Sequence, residues 1–527
     1  MFQKGISGNP NGRPKLTLNV RKIQDIARDK SEMAINVLCE IANNESYTPS
    51  ARVSAASAIL DRGCVQHALI LYTFYLLCFV FSNSAFCNEL SKPNFIVLLT
   101  EAQGWSNTSI PMDDLNSSSK SKLFKTPAVE RLALEGMRFA FGYAASPRCT
   151  PSRAALFTGK SPAFLHMTFI NGNRENGFSR TGSKLIPPEP LLELPRSEKT
   201  IADILKTAGY GTAHFGKWHV GRVDPSQHGF DDSDGPTSNG GPDNVANPNP
   251  KEAYAMTSHG IQFMEKMVNQ HKPFYLQLSH YPNQGQKNRD SLNSQIHDSA
   301  DVDATVMQVL DAVDRLGIKD TTYIIYTSDH GSQGRNGNEP LSGGKGFVLE
   351  GGLRVPFIIR GPGIKPNLVS HVPVTAMDIL PTLHELAHIP SALPSGVEGG
   401  SLVSLLKDPT GMHPVTRSRQ ALVFHFPHYD HGNFGPATAI ISDPYKLIKA
   451  YETNHLWLYN IREDPSEKKD LTRLMPDKVK ELTEQLSRYL KNVNAQFATV
   501  NPEYDPTKPP EEDAIQQGAG KRHRKNN

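Results

Sequence analysis

The chain has 527 residues, of which 38% are hydrophobic and 21% are charged, values ordinary for a globular protein. A net charge of only +3 gives no global field, so nucleic acid is not expected as a partner of the main body. Four of the five cysteines precede residue 88, which leaves Cys149 as the only later thiol and excludes a disulfide framework for most of the chain.

Residues 1–62 are predicted to form a small helical module. Residues 5–14 (GISGNPNGRP) are rich in turn formers, and apolar spacing predicts helices at about 20–42 and 51–60. The signature GNPxGRP resembles that of an N-terminal module of unknown function in phage- and transposon-associated proteins. A solvated basic face is the favoured interpretation of its charges, and a nucleic-acid contact is the alternative.

The segment 66–87 resembles a secretory signal. Its core, residues 68–81 (ALILYTFYLLCFVF), is uncharged but shorter than the ~20 residues of a transmembrane helix, so no stable membrane span is expected. The segment predicts a periplasmic or secreted protein that begins near Cys87, or a cytoplasmic one if the signal is unused. Its position after sixty residues favours a wrongly extended start or a fusion, with a buried core helix as the alternative.

Beyond this segment, strand and helix patterns alternate. Continuous apolar runs at 95–99 and 323–326 predict buried parallel strands, and 126–136 and 200–209 are typical of helices. This alternation predicts an α/β fold over 92–415, a mixed sheet covered by helices. In such folds the functional residues lie at the carboxyl ends of the strands.

The pattern changes near residue 416. Short strands between 421 and 450 and an amphipathic helix from 477 to about 493 predict a smaller C-terminal antiparallel sheet packed with a helix, over 416–495. Residues 502–527 are rich in proline, glycine and charge, which predicts a disordered tail.

A cysteine begins the run 149–159 (CTPSRAALFTG). This run resembles the signature of the sulfatase family, the formylglycine-dependent, arylsulfatase-like branch of the alkaline-phosphatase-like superfamily. The resemblance implies that a separate maturation enzyme oxidises Cys149 to formylglycine, whose hydrate carries two hydroxyls on one carbon. One hydroxyl would attack sulfur, and the other would collapse to the aldehyde and expel sulfate. Arg153 would hold the nucleophile oxygen and the anionic substrate.

The resemblance also implies a divalent metal bound by two distant segments. At 93–105 (PNFIVLLTEAQGW) the family carries adjacent aspartates, whereas this chain has Glu101 and Ala102. Residues 326–331 (YTSDHG) match the second segment without change. Oxygen ligands favour Ca²⁺ or Mg²⁺, and a histidine ligand loosens this preference toward softer ions. The resemblance implies Ca²⁺, with Mg²⁺ or another divalent cation as the alternative. The ligands implied are Glu101, Asp329, His330 and the modified Cys149.

The step from Glu101 to Ala102 departs from the family pattern. Glu101 can still ligate, with a longer reach, but the methyl group of Ala102 cannot. Asp113, Asp114 and Gln103 are alternative oxygen donors close in sequence, although a solvated turn is the simpler interpretation of the two aspartates. A weak or empty metal site is the other expected outcome.

Further blocks resemble the family pattern and carry cations or histidines: 214–221 (HFGKWHVG), 272–280 (KPFYLQLSH) and 340–356 (PLSGGKGFVLEGGLRVP). By resemblance, Lys217 binds a sulfate oxygen and Lys345 neutralises charge on the bridging oxygen. His219 would contact the formylglycine hydroxyl, and His280 would act as general acid or sulfate ligand beside the leaving group. Fixed donors are worth ~3–4 kcal/mol each where charge builds in a transition state.

These blocks predict a sulfatase that hydrolyses sulfate monoesters. A sulfated saccharide is favoured over a small aryl sulfate because of the predicted secretion and long polar loops such as 231–249. The alternatives are a phosphodiester or phosphonate monoester hydrolase of the same superfamily and a degenerate, non-catalytic binder of sulfated glycans. Loop residues His425, His428 and Tyr429 are candidate substrate contacts.

Overall fold

The computed structural model describes six ranges and scattered positions between 37 and 55. The chain divides into two compact units, 1–90 and 91–527, and the fold below belongs to the second. The predicted signal segment and the tail beyond residue 507 lie outside the described residues, as does most of the predicted N-terminal module. The ranges are 92–170, 183–242, 250–282, 292–333, 337–430 and 433–507.

Strands of the described ranges are numbered in chain order. They are β1 (Asn94–Thr100), β2 (Met137–Phe139), β3 (Gly142–Tyr143), β4 (Leu185–Ile186), β5 (Gly211–Gly216), β6 (Asp232–Ser233), β7 (Phe274–Ser279), β8 (Thr322–Ser328), β9 (Phe357–Arg360), β10 (Leu368–Ser370), β11 (Val374–Thr375), β12 (Leu422–Phe426), β13 (Ala437–Ser442), β14 (Tyr445–Ala450), β15 (Leu456–Asn460) and β16 (Thr499–Val500).

The α-helices of the same ranges follow the same convention. They are α1 (Pro127–Leu134), α2 (Cys149–Thr158), α3 (Pro162–Leu165), α4 (Ile201–Thr207), α5 (Pro250–Asn269), α6 (Leu292–Arg315), α7 (Glu350–Leu353), α8 (Ile379–Leu386), α9 (Val403–Lys407) and α10 (Pro476–Asn492). Among the described residues, no helix combines the length and apolar character needed to cross a membrane.

The central sheet has eight strands in the order β10-β2-β9-β8-β1-β7-β5-β6. Strands β8, β1, β7 and β5 are parallel, whereas β9 is antiparallel to β8 and to β2. Every residue of β1 and β8 is buried, as expected for parallel strands covered on both faces. This mixed, helix-covered sheet confirms the predicted α/β fold.

Alternate residues of β1 enter opposite cores because successive side chains of a strand point to opposite faces. Phe95 and Leu99 pack in the cluster that includes residues of α2, α4 and α8, whereas Ile96 and Leu98 pack with α1, α5 and α6. In the register of β1 with β8, Thr100 lies opposite Ser328. The next residues of both strands therefore leave the same edge of the sheet side by side.

The C-terminal part forms the predicted antiparallel sheet, in the order β12-β13-β14-β15. One apolar side of α10 packs on this sheet through Leu482, Leu486 and Leu490. The sheet is joined to the rest of the second unit by a buried network. Lys446 Nζ lies 3.0 Å from Glu350 Oε1 and 2.8 Å from Glu467 Oε1.

This network predicts a large effect on stability. Burial raises the pKa of Glu467 to about 7, whereas Lys446 and Arg354 overcome the effect of burial and lower the pKa of Glu350. Lys446→Met leaves two buried carboxyl groups without their ammonium, and we expect the free energy of unfolding to fall by about 3–5 kcal/mol. Thermal and urea unfolding would measure this loss.

The matched control for this prediction is Lys449→Met on the same strand, because the Lys449 side chain is only partly buried. A small change is expected there. Equal losses of stability in the two variants would contradict a specific contribution of the buried network at Lys446.

Candidate active site

Cys149 is the first residue of the buried helix α2. Arg148 is the N-cap residue, and Gly159 ends the helix in the left-handed conformation with φ +66°. The thiol is free and only 3% exposed. The helix N-terminus directs its amide groups and positive dipole end towards this position, which favours an anion there.

Four side chains with ligand atoms converge at the sheet edge, and their ligand atoms all lie within 4.8 Å of one another. The Cys149 Sγ atom lies 3.3 Å from Glu101 Oε1 and 3.2 Å from His330 Nε2. The neighbouring ends of β1 and β8 bring Glu101 and Asp329 together. The group consists of the four residues predicted as metal ligands: Glu101, Cys149, Asp329 and His330.

Three cationic side chains surround Glu101. The Lys217 ammonium and the Arg153 guanidinium each lie 2.9 Å from Glu101 Oε2, and Lys345 Nζ lies 3.7 Å from Oε1. Arg153 also donates from Nε to Asp329 at 3.0 Å and is fully buried. The structure therefore collects Lys217, Lys345 and Arg153 at one position, where they can stabilise an anion.

The electrostatics of the site favour negative charge at position 149. Burial and Glu101 oppose ionisation of the Cys149 thiol, but Lys217, Lys345 and His330 outweigh them and hold its pKa well below the usual range. The thiol occupies the place of the oxygen nucleophile that formylglycine would supply. A developing oxyanion there would meet the same stabilising charges.

Ala102 has a left-handed backbone, with φ +52°, and its N–H donates to Asp329 Oδ1 at 3.1 Å. Gln103 does not replace the missing carboxylate, because its Oε1 accepts from Thr100 at 3.0 Å and its Nε2 donates to the Asn107 carbonyl at 3.3 Å. These two hydrogen bonds engage both ends of the Gln103 amide, which is therefore held away from the metal ligands.

The two aspartates considered as substitutes lie in a separate group. Asp114 Oδ1 is 2.8 Å from His371 Nε2, and Asp113 accepts from the Leu115 N–H at 2.9 Å in a local turn. Asp113, Asp114 and His371 have their ligand atoms within 4.8 Å of one another, apart from the group at Cys149. Neither aspartate therefore completes the set around Glu101.

The two predicted histidines differ in their surroundings. Burial and the charge of Lys217 lower the pKa of His219 to about 4. A hydrogen bond and the charge of Cys149 act in the opposite direction, so the His219 ring lies beside the thiol. His280 Nε2 lies 2.9 Å from Thr305 Oγ1, and its Nδ1 lies 3.4 Å from the Leu99 carbonyl. These bonds join His280 to α6 and to β1. The role of His280 beside a leaving group stays a prediction.

The three candidate substrate contacts are held by internal bonds, and His425 lies in strand β12 and not in a loop as predicted. His425 bonds Thr438 and the Gln496 carbonyl, His428 bonds Thr168, and Tyr429 donates to Glu452. All three residues are buried. These contacts favour a structural role for the three residues.

Sequence reasoning missed a further pair at the site. The Arg148 guanidinium forms a two-point ion pair with Asp430, and both side chains are almost fully buried. The only sequence signal was that Arg148 immediately precedes Cys149, because Asp430 is 282 residues away.

Comparisons with known proteins identify the family. The family model for sulfatases matches residues 93–389, and the model for the C-terminal part of N-sulphoglucosamine sulphohydrolase matches residues 343–496. The N-acetylgalactosamine-6-sulfatase of Mus musculus is 29% identical over 370 residues, covering 61% of this chain and 68% of that protein. The chain thus spans about two thirds of the length of that relative.

A bacterial relative and a solved structure agree with this family. The ulvan-active sulfatase of Formosa agariphila is 26% identical over 434 residues, covering 73% of this chain and 78% of that protein. The crystal structure of Ps i-CgsB shares the fold at 22% identity, with a TM-score of 0.62, covering 76% of this chain and 93% of that one. Since the sulfatase model alone matches more than half of the 527 residues, the chain belongs to the sulfatase family of the alkaline-phosphatase-like superfamily.

Proposed function

We propose that this protein hydrolyses sulfate monoesters with a formylglycine made from Cys149 and that its natural substrates are sulfated saccharides. One observation carries the proposal. Cys149 begins a buried helix, and the positive charges of Lys217, Lys345 and Arg153 act on its side chain. Hydrolysis of a sulfate ester needs this concentration of positive charge because negative charge develops on the departing oxygen.

Each cation of the site has a role in this proposal. Lys217, which is fully buried, would hold a non-bridging sulfate oxygen, and the more exposed Lys345 would lie against the bridging oxygen. Arg153 donates to Glu101 and Asp329 and would thereby orient these two ligands. His219, held neutral by its lowered pKa, can accept a proton from the nucleophile hydroxyl.

The donor set suits a divalent cation. Glu101, Asp329, His330 and an oxygen of modified Cys149 would hold it. The oxygen ligands suit Ca²⁺ or Mg²⁺, whereas the His330 nitrogen loosens this preference toward softer ions. The bound ion would supply further positive charge to the anion site. Both oxygens of Asp329 accept hydrogen bonds, from Ala102 N–H and from Arg153, and each oxygen keeps a lone pair that a cation could use.

The test of the proposed reaction compares two substrates. Protein produced together with a formylglycine-generating enzyme should hydrolyse an aryl sulfate faster than an aryl phosphodiester, and the peptide containing residue 149 should have the mass of formylglycine. Faster turnover of the phosphodiester would favour the phosphodiester hydrolase alternative. A modified protein that hydrolyses neither substrate and binds no metal would favour the glycan binder.

Sulfated saccharides are proposed because two relatives are named for N-acetylgalactosamine-6-sulfate hydrolysis and for ulvan. Release of inorganic sulfate from sulfated disaccharides, measured against release from an aryl sulfate, tests this choice. A higher kcat/KM for the aryl sulfate than for every saccharide would contradict it.

Ala102→Asp is expected to strengthen calcium binding by about 10-fold or more, because it adds a carboxylate beside Glu101 and ligand charge tunes calcium affinity. Aspartate also tolerates the left-handed backbone of position 102 better than alanine does. Calorimetric titration of metal-free protein with Ca²⁺ would measure the change without relying on turnover.

The matched control is Ala102→Asn, which has the same size but no charge and should give a smaller gain. If the aspartate variant binds Ca²⁺ no more tightly than the native protein, residue 102 lies outside the coordination sphere.

A further inference from the structure

Arg148, the residue before Cys149, is tied to the C-terminal part of the second unit. Its Nε and one terminal nitrogen contact the two carboxylate oxygens of Asp430, which follows β12. The Arg148 side chain is 7% exposed and that of Asp430 is 1% exposed. A two-point pair of this kind fixes both the position and the orientation of the guanidinium plane.

The same two loops are joined by a second route that passes beside Lys345. The Gly346 N–H donates to the Pro147 carbonyl at 3.0 Å, and Asn433 Nδ2 donates to the Gly346 carbonyl at 3.0 Å. Asn433 Oδ1 in turn accepts from the Asp430 N–H at 3.1 Å. The contacts form a closed ring that passes through the nucleophile turn, the Lys345 loop and the C-terminal loop.

Gly346 shows how closely this ring is packed. Its φ is +87°, and a Cβ atom added there would lie 2.7 Å from Asp430 Oδ2. A side chain at position 346 would therefore displace Asp430 or the loop that carries Lys345. The position of Asp430 is consequently coupled to that of Gly346 and, through Arg148, to the turn that precedes the nucleophile.

Stability alone does not account for the ion pair. Replacement of a buried pair by apolar residues of similar size is often neutral or stabilising, because the charges must lose their hydration. The pair lies next to residue 149, where small displacements alter the geometry of attack. This location distinguishes it from another buried Arg–Asp pair, Arg417 with Asp378.

We infer that Arg148 and Asp430 are positioning residues, which hold the nucleophile at position 149 and Lys345 in register for the same sulfate group. Through this pair the C-terminal part completes the anion site. The inference rests on the proposed sulfatase function, but inorganic sulfate binding tests it separately from turnover.

The test uses the double variant Arg148→Met/Asp430→Leu of the full chain. The apolar pair should keep the melting temperature within about 3 °C, while kcat for an aryl sulfate falls about 10- to 100-fold because the reacting groups are misplaced. Affinity for inorganic sulfate, measured by calorimetry, should weaken several-fold. The conservative variant Asp430→Glu should retain more activity than Asp430→Asn.

Arg417→Met is the matched control, since Arg417 also forms a buried two-point pair with an aspartate. It should lower the melting temperature but leave the kcat of the folded protein unchanged. Native kcat and native sulfate affinity in the folded double variant would overturn the inference. If the native enzyme hydrolyses no sulfate ester, the proposed function fails, and sulfate affinity alone still decides whether the pair positions the site.

Discussion

Cys149→Ser should lower steady-state hydrolysis of sulfate esters by at least about a thousand-fold. The serine hydroxyl occupies the same helix N-terminus and faces the same cations, so it can accept a sulfuryl group. It lacks the second hydroxyl on the same carbon, and therefore the internal route by which sulfate leaves. We expect at most one turnover per molecule, followed by a stably sulfated serine that mass spectrometry of the peptide would detect.

The control for this prediction is Cys149→Ala, which should show neither the single turnover nor the added sulfate. Because residue 149 is buried, the melting temperatures of both variants should be compared with that of the native protein. Sustained turnover by the serine variant would contradict a mechanism that needs formylglycine.

Lys217→Met should lower kcat for sulfate esters by about 100- to 1,000-fold. Lys217 is fully buried and donates to Glu101 Oε2 at 2.9 Å, beside Cys149. Its ammonium is thus already fixed before substrate binds, and its charge acts in an environment with little water. Loss of such a preorganised charge weakens the stabilisation of the transition state. It weakens the binding of the neutral part of the substrate less. Steady-state kinetics should therefore show a larger change in kcat than in KM.

The matched control is Lys206→Met, because the Lys206 side chain is 49% exposed and pairs with Asp231 on the surface. That variant should have native kinetics. In the Lys217 variant Glu101 retains its ion pair with Arg153, so the protein should still fold. A kcat within about threefold of native would contradict the role proposed for Lys217.

Much of the fold follows from local patterns. The apolar runs at 95–99 and 323–326 became β1 and β8, and the helices predicted at 126–136 and 200–209 became α1 and α4 with slightly shorter bounds. Strand alternation and helix periodicity depend on residues close in sequence, so they can be recognised without the tertiary structure. The C-terminal sheet and its helix were predicted for the same reason.

Part of the candidate site was also accessible. The resemblance of the run beginning at Cys149, and of the segments 93–105 and 326–331, to the sulfatase family implied which side chains should meet. The structure brings together all four predicted ligands and three predicted cations. It leaves the roles of His219 and His280 as predictions.

The sequence by itself determined the strand pattern, the candidate nucleophile Cys149 and the absence of a carboxylate at Ala102. Only the tertiary structure decided that Gln103 and Asp113 bond elsewhere, that His280 faces Thr305 and that Arg148 pairs with Asp430. The physical reason is competition for hydrogen-bond partners. A buried polar side chain bonds whichever groups the packed chain places within about 3 Å of it, and those groups often lie far away in sequence.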